Sequence, residues 1–175
     1  DAAWVGARGA QPVGSVTWKF AQLIGITADD IALSTVQSVN AAGGNVYVMR
    51  GGQPRTAEGI VVSGEFIDVI MAKDWVQVNI ENAIQTLLNN KPKIPYTNSG
   101  IAQLEAATIN VLRAGFNQGI IAEDADGLPL YSTNFPTREE TNPADRAQRK
   151  YTGATFTFEL SGAVHEATIH GTITV

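Results

Sequence analysis

The only two histidines of the chain fall close together, in the stretch HEATIH spanning His165 to His170. A zinc hydrolase of the HExxH type needs its two imidazoles four residues apart on one helix face, with the glutamate as base. Here they are five apart, in a Thr/Ile-rich stretch that reads as a strand. An odd spacing on a strand sends the two rings to opposite faces, so no metal shared within this segment is expected. EDADG offers an Asp-x-Asp-Gly at Asp124 and Asp126, the opening of a calcium loop. The further ligands and the closing glutamate of such a loop are missing, and Asp-Gly before a strand is more simply a turn. GNVYVMRGGQPR carries Arg50 and Arg55 among glycines but has neither a phosphate-cradling GxxxxGK nor a GxGxxG pattern. No GxSxG elbow occurs. The paired carboxylates Asp29-Asp30, Glu123-Asp124 and Glu139-Glu140 sit at a helix start or in polar loops, where solvated acids are the default. The sequence therefore assigns no catalytic, cofactor-binding or metal-ligating residue, and predicts a protein that is not an enzyme. The competing class is a small carboxylate- or metal-dependent hydrolase with an ion at Asp124 and Asp126.

Composition narrows the partners. The chain has 175 residues, 44% of them hydrophobic, enough for one domain with a real core. A net charge of −5 argues against nucleic acid, which demands clustered cations. No apolar run approaches the roughly 20 residues that cross a bilayer, so membrane insertion is not expected. Cysteine is absent, which removes disulfides and thiol chemistry. The opening DAAWVGARGA has no initiator Met and none of the basic and apolar regions of a signal peptide, so the expectation is a piece of a longer chain.

The elements are read from periodicity. TADDIALSTVQSVNAA reads as a helix, with Thr27 and Asp30 at capping-box spacing and Gly43-Gly44 as its end. NVYVMR is a strand, and GGQPR turns the chain. GIVVSG and FIDVIMA read as two further strands. KDWVQVNIENAIQTLLNN is the strongest helix, with Val76, Ile80, Ala83, Ile84 and Leu87 at three- and four-residue steps. The next helix covers about Gly100 to Asn117, capped by Asn98 or Ser99, with Ile101, Leu104, Thr108, Val111 and Leu112 as its buried stripe. LPLYST is a short strand, and PTREETNPADRAQRK a polar link. TFTFEL alternates, with Phe156, Phe158 and Leu160 on one face. A last strand from Ala163 to Val175 is expected to pair antiparallel with it across Ser161-Gly162. The fold class is thus α+β, a mixed or antiparallel sheet flanked by helices, in a single domain over 1–175.

Two surfaces remain to be explained. A strand at a chain end needs partners for its amides, from its own sheet or from another copy. Arg146, Arg149 and Lys150 form a positive patch in an acidic protein, either a solvated loop or short helix, or a docking surface for an acidic neighbour.

Three stretches resemble one family. They are GSVTWKFAQLIGITADDIALSTVQSVNAAGGNVYV, then FIDVIMAKDWVQVNIENAI with KIPYTNSGI, and the closing ADRAQRKYTGATFTFELSGAVHEATIHGTITV. Together they resemble the C-terminal half of tail sheath proteins of contractile bacteriophages. The resemblance implies a structural subunit in a helical homo-oligomeric lattice around a tail tube protein, anchored on a baseplate. It implies a lattice that contracts to drive the tube through the host envelope. It also implies a place in the virion tail after assembly in the host cytoplasm, and no cofactor. Terminal arms lend strands to neighbouring subunits in that family. Here the matching arm would be the last strand, with Val164, Ala167, Ile169, Ile173 and Val175 at the interface and Phe156 and Phe158 beneath it. The other donor would precede or include Asp1–Thr17. Another tail component, tube or baseplate, is the nearest alternative. The chain departs from a full sheath subunit in length, lacking the outer domains.

Overall fold

A computed structural model of the chain describes residues 1–172. It holds helices α1 (Ala2–Arg8), α2 (Leu33–Ala41), α3 (Ile67–Asn90), α4 (Asn98–Asn117) and α5 (Pro143–Ala147). The strands are β1 (Tyr47–Arg50), β2 (Gln53–Thr56), β3 (Tyr131–Asn134) and β4 (Thr155–Phe158). They form two separate antiparallel pairs, β1 with β2 and β3 with β4. The fold is α+β, as the sequence predicts. Two compact units divide the chain.

The first unit takes Asp1–Gln11, Val16–Asp68 and the residues from Gly162. Its hairpin puts Tyr47 opposite Thr56 and Arg50 opposite Gln53. The two-residue turn between them, Gly51-Gly52, has φ of 57° and 77°, the left-handed pair that matches strand twist and that glycine adopts without cost. Trp18, Ala21, Leu23, Val36 and Val48 are buried here. Thr56 ties the segment before the hairpin to β2: its hydroxyl donates to Trp18 O at 2.9 Å and accepts from Ala21 N at 2.9 Å. Helix α1 is pinned by Trp4, whose indole N–H donates to Trp18 O at 3.0 Å.

The second unit takes Pro12–Ser15 and Val69–Ser161. Its core is Ala72 and Val76 of α3, Leu112 of α4, and Ile120 and Ile121, with Tyr131, Phe158 and Leu160 packed against them. Helix α4 buries Ile101, Thr108, Val111 and Leu112 as its periodicity predicts. Its cap is Thr97, one residue earlier than expected, whose hydroxyl accepts from Gly100 N at 3.3 Å. Gly100 is required for a different reason: a Cβ there would fall 1.9 Å from Pro95 O.

Six sequence expectations are corrected. GGQPR turns the chain only at Gly51-Gly52; Gln53, Pro54 and Arg55 already belong to β2. Helix α2 starts at Leu33 with Ala32 as its cap, so Thr27 and Asp30 form no capping box. Asp29 bridges Val48 instead, giving its N–H to Tyr47 O at 2.9 Å; a β partner competes successfully for this stretch. GIVVSG forms only an isolated bridge, Ile60 to Phe66, around a turn. FIDVIMA is mostly the start of α3, not a strand. An apolar run this short fits either period, and here it buries Ala72 in register with Val76 on one helix face. Within the polar link, Asn142 caps α5, its side chain accepting from Ala144 N at 2.9 Å, and Pro143 opens the helix. The hairpin expected across Ser161-Gly162 is absent among the described residues. β4 pairs with β3, Tyr131 opposite Phe158, and the residues beyond it form no strand as far as 172.

Candidate assembly surfaces

The terminal segment is built unlike the rest of the chain. No backbone-to-backbone hydrogen bond joins residues 162–172 to the other described residues. All of them but His165 are exposed. Val164 is 82% and Ile169 89% exposed, and Ala167 is exposed too. Ile173 and Val175 lie outside the described residues. The segment combines β-branched residues with unpaired amides, the chemistry of a strand without a sheet.

His165 is the exception. Its Nε2 lies 2.9 Å from Thr17 Oγ1. Phe66 and Phe20 meet its ring edge-on, with centroids at 4.9 and 5.9 Å and interplanar angles of 89° and 82°. Phe20 is held with φ at 63°, a conformation that costs a non-glycine residue about 1–2 kcal/mol. Hydrogen bonds on both sides enforce it: Phe20 N donates to Thr56 O at 3.1 Å, and Thr56 N to Ala21 O at 3.0 Å. Arg55 and Lys19 flank its ring at 5.2 and 5.5 Å, and Lys19 is paired with Glu58 at 3.2 Å. His170 is exposed.

A second surface is the β3–β4 pair. With only two strands in this sheet, each has one edge free of any other strand among the described residues. Residues 155–157 of β4 are exposed. Phe156 and Phe158, two apart and so on one face, stack at 6.3 Å with 12° between their planes. They line a groove of about 420 Å³ with Val76 and Ile80 of α3, edged by Lys73, Gln77 and Glu81. The alternation of the sequence identified both rings; their pairing with α3 carried no signal.

The basic patch divides. Arg146 is half-buried, and its Nη1 donates to Arg138 O at 2.9 Å and to Thr141 O, stapling its own loop. Arg149 and Lys150 are exposed. Tyr96 donates its hydroxyl proton to Lys150 O at 3.1 Å, and Tyr151 donates to Pro136 O at 2.8 Å. Burial pushes the Tyr151 phenol up from its ordinary pKa. Nearby, Asn98 donates to Glu139 at 3.0 Å and holds that carboxyl below its ordinary range. Thr137 does the same to Glu140 through its N–H and hydroxyl, at 2.7 and 2.9 Å.

The candidate ion loop is a turn. Asp124 Oδ1 accepts from Asp126 N at 2.9 Å and Leu128 N at 2.8 Å, so that oxygen is committed to the backbone. Among the described residues no three acidic, His or Cys side chains are placed to hold a metal. No described helix is long and apolar enough to cross a membrane.

Residues 67–129 match the family model described as "E217 tail sheath protein gp31-like, C-terminal domain". The match opens with α3 and contains most of FIDVIMAKDWVQVNIENAI and all of KIPYTNSGI; the closing stretch lies outside it. Two solved structures share the fold. One is the cryo-EM structure of the anti-feeding prophage baseplate, with TM-score 0.70, 14% identity, and 98% of this chain against 47% of that one. The other is the PVC sheath complex of an extracellular contractile injection system in its contracted state, with TM-score 0.70, 11% identity, and 90% of this chain against 45% of that one. The chain thus spans about half the length of either. No curated protein matches it in sequence. The sheath resemblance read from the sequence holds in its central stretches.

Proposed function

We propose that this chain is the C-terminal core of a contractile sheath subunit, a single structural domain that polymerises helically around a tail tube and rests on a baseplate. Residues 164–175 serve as the arm that engages a neighbouring copy. Val164, Ala167, Ile169, Ile173 and Val175 are its contact residues, and Arg149 and Lys150 meet acidic neighbours with Arg146 behind them. The edge of β4, with Phe156 exposed and Phe158 half-buried beside it, is the receiving surface. In this reading the sheath belongs to a bacteriophage tail, is assembled in the host cytoplasm, and shortens to push the tube through the envelope.

The observation that supports it most is the terminal segment, β-competent yet unpaired and exposed among the described residues. A free edge is a liability for a lone molecule and a connector in a polymer. Backbone pairing depends little on side chains, so it survives rotation between subunits while the bodies pivot. Contacts of this head-to-tail kind do not close and therefore build tubes. Extension stores the energy, so no nucleotide or other cofactor is needed.

One neighbour is a baseplate structure, which favours a second reading: a copy that caps the baseplate instead of paving the tail. Electron microscopy of the purified protein distinguishes them. Wide hollow tubes are the expected product, against isolated rings for a cap. Deleting residues 166–175, which leaves His165 in place, abolishes the tubes and leaves the melting temperature unchanged. Normal tubes from the deleted protein would remove the arm from the account. Failure of that protein to fold would return the segment to its own core.

A further inference from the structure

We propose that His165 is a latch: its imidazole, held by Thr17, Phe20 and Phe66, ties the root of the terminal segment to the first unit and leaves the residues from 166 as the part that engages a second copy of this chain. The inference rests on reading that segment as an assembly arm only for what the latch serves, not for whether it exists.

The contrast along the segment carries the argument. His165 alone of residues 162–172 is half-buried, and it alone has a side-chain hydrogen bond and ring contacts, at 2.9, 4.9 and 5.9 Å. Its neighbour Val164 is 82% exposed, so the burial belongs to one side chain and not to the strand. The socket is held by contacts that do not involve its occupant. Phe20 is held left-handed by bonds to Thr56, and two cations sit on its ring. A strained residue that the surrounding structure over-determines marks a place where a side chain must be aimed.

The latch gives the arm two lengths. Upstream, Ser161 is the last of the described residues with a backbone bond, its N–H donating to Ile120 O at 2.9 Å. With His165 seated, the arm starts at residue 166. With it released, the four residues from Gly162 join the arm, which adds about 13 Å of reach. His165 is thus a positioning residue that sets the span over which a neighbour can be caught.

The chain has no cysteine, so a nitroxide placed through Val164→Cys reports the latch and one placed through Ile169→Cys reports the arm. On dispersed monomer, the label at 164 should tumble at least about 3-fold more slowly than the label at 169. His165→Ala should make the two spectra alike. His165→Gln, which keeps a group able to meet Thr17, should restore part of the difference. Thr17→Val breaks the same hydrogen bond from the socket side and should loosen the label at 164 if the His165 variant does not fold. Equal tumbling at 164 and 169 in the parent, or no response to any of the three substitutions, overturns the latch. Because the readout is monomeric, failure of the two ideas is separable. Tubes with an unresponsive label discard the latch and keep the assembly reading. A responsive label in a protein that never forms tubes does the reverse.

Discussion

Residues 155–160 and 163–169 carry the same kind of pattern, apolar and polar in alternation, and meet opposite fates. β4 bonds to β3 and rests Phe158, with Leu160 just beyond it, on the core around Leu112. The later stretch bonds to nothing in the described backbone and shows Val164 and Ile169 to solvent. Alternation therefore marks a segment as able to be a strand. It does not say which edge will take it. What separates the two is the floor: α3 and α4 supply one beneath β4, and none lies beneath residues 166–172, all of which are exposed.

The largest test of that difference is a pair of truncations. Leu112→Ala, at a fully buried position, should cost about 3 kcal/mol in urea unfolding. Ile169→Ala should change stability by less than about 0.5 kcal/mol, as for an exposed site without partners, while weakening tube formation. An Ile169 effect on folding as large as that of Leu112 would erase the distinction between the segments. A smaller effect is expected inside the β3–β4 pair. The hydroxyls of Ser132 and Thr157 meet across the strands at 2.7 Å, and Thr157→Ala should lose about 0.5 kcal/mol by the same measurement. Thr168→Ala in the terminal segment should lose nothing measurable.

The smallest effect concerns acid. Glu139 and Glu140 lie in the loop leading to α5, and both titrate below the ordinary 4.5 because they accept hydrogen bonds when ionised. Their folded values lie below their unfolded ones. The stabilisation is therefore complete above about pH 4.5 and disappears as the pH falls through the lower folded values. Melting temperatures taken downward from pH 6 should fall less steeply in Glu140→Gln than in the parent. Both groups are fully exposed, so the change in slope is small.

Much of this was legible in advance. The stripe of α4 from Ile101 to Leu112, the strand NVYVMR with a turn at Gly51-Gly52, and the α+β class follow from spacing alone, whereas residues 53–55 of β2 read as part of the turn. FIDVIMA was misread because seven apolar-rich residues fit either period, and only the helix continuing through Lys73 to Asn90 decides between them. Thr27 and Asp30 have a cap's spacing, yet Asp29 is drawn to Val48 by a hairpin that no local window contains. The surfaces were half visible. Ala167, Ile169 and the Phe156/Phe158 pair stood out by alternation, and Val164 only as part of the arm that the family resemblance implies. The socket did not, because Thr17, Phe20 and Phe66 are distant in sequence from His165 and carry no shared pattern. Arg146 was grouped with Arg149 and Lys150 by charge, and its bonds to Arg138 and Thr141 make it mainly a brace.

The eleven residues from Gly162 to Gly171 and Thr172 satisfy none of their own amides through the described backbone. Water meets that need in dilute solution, but every other molecule in the flask offers a competing answer. Such a protein should have a ceiling on the concentration at which it stays dispersed, lowered by salts that favour burial and raised by any short peptide that copies the segment.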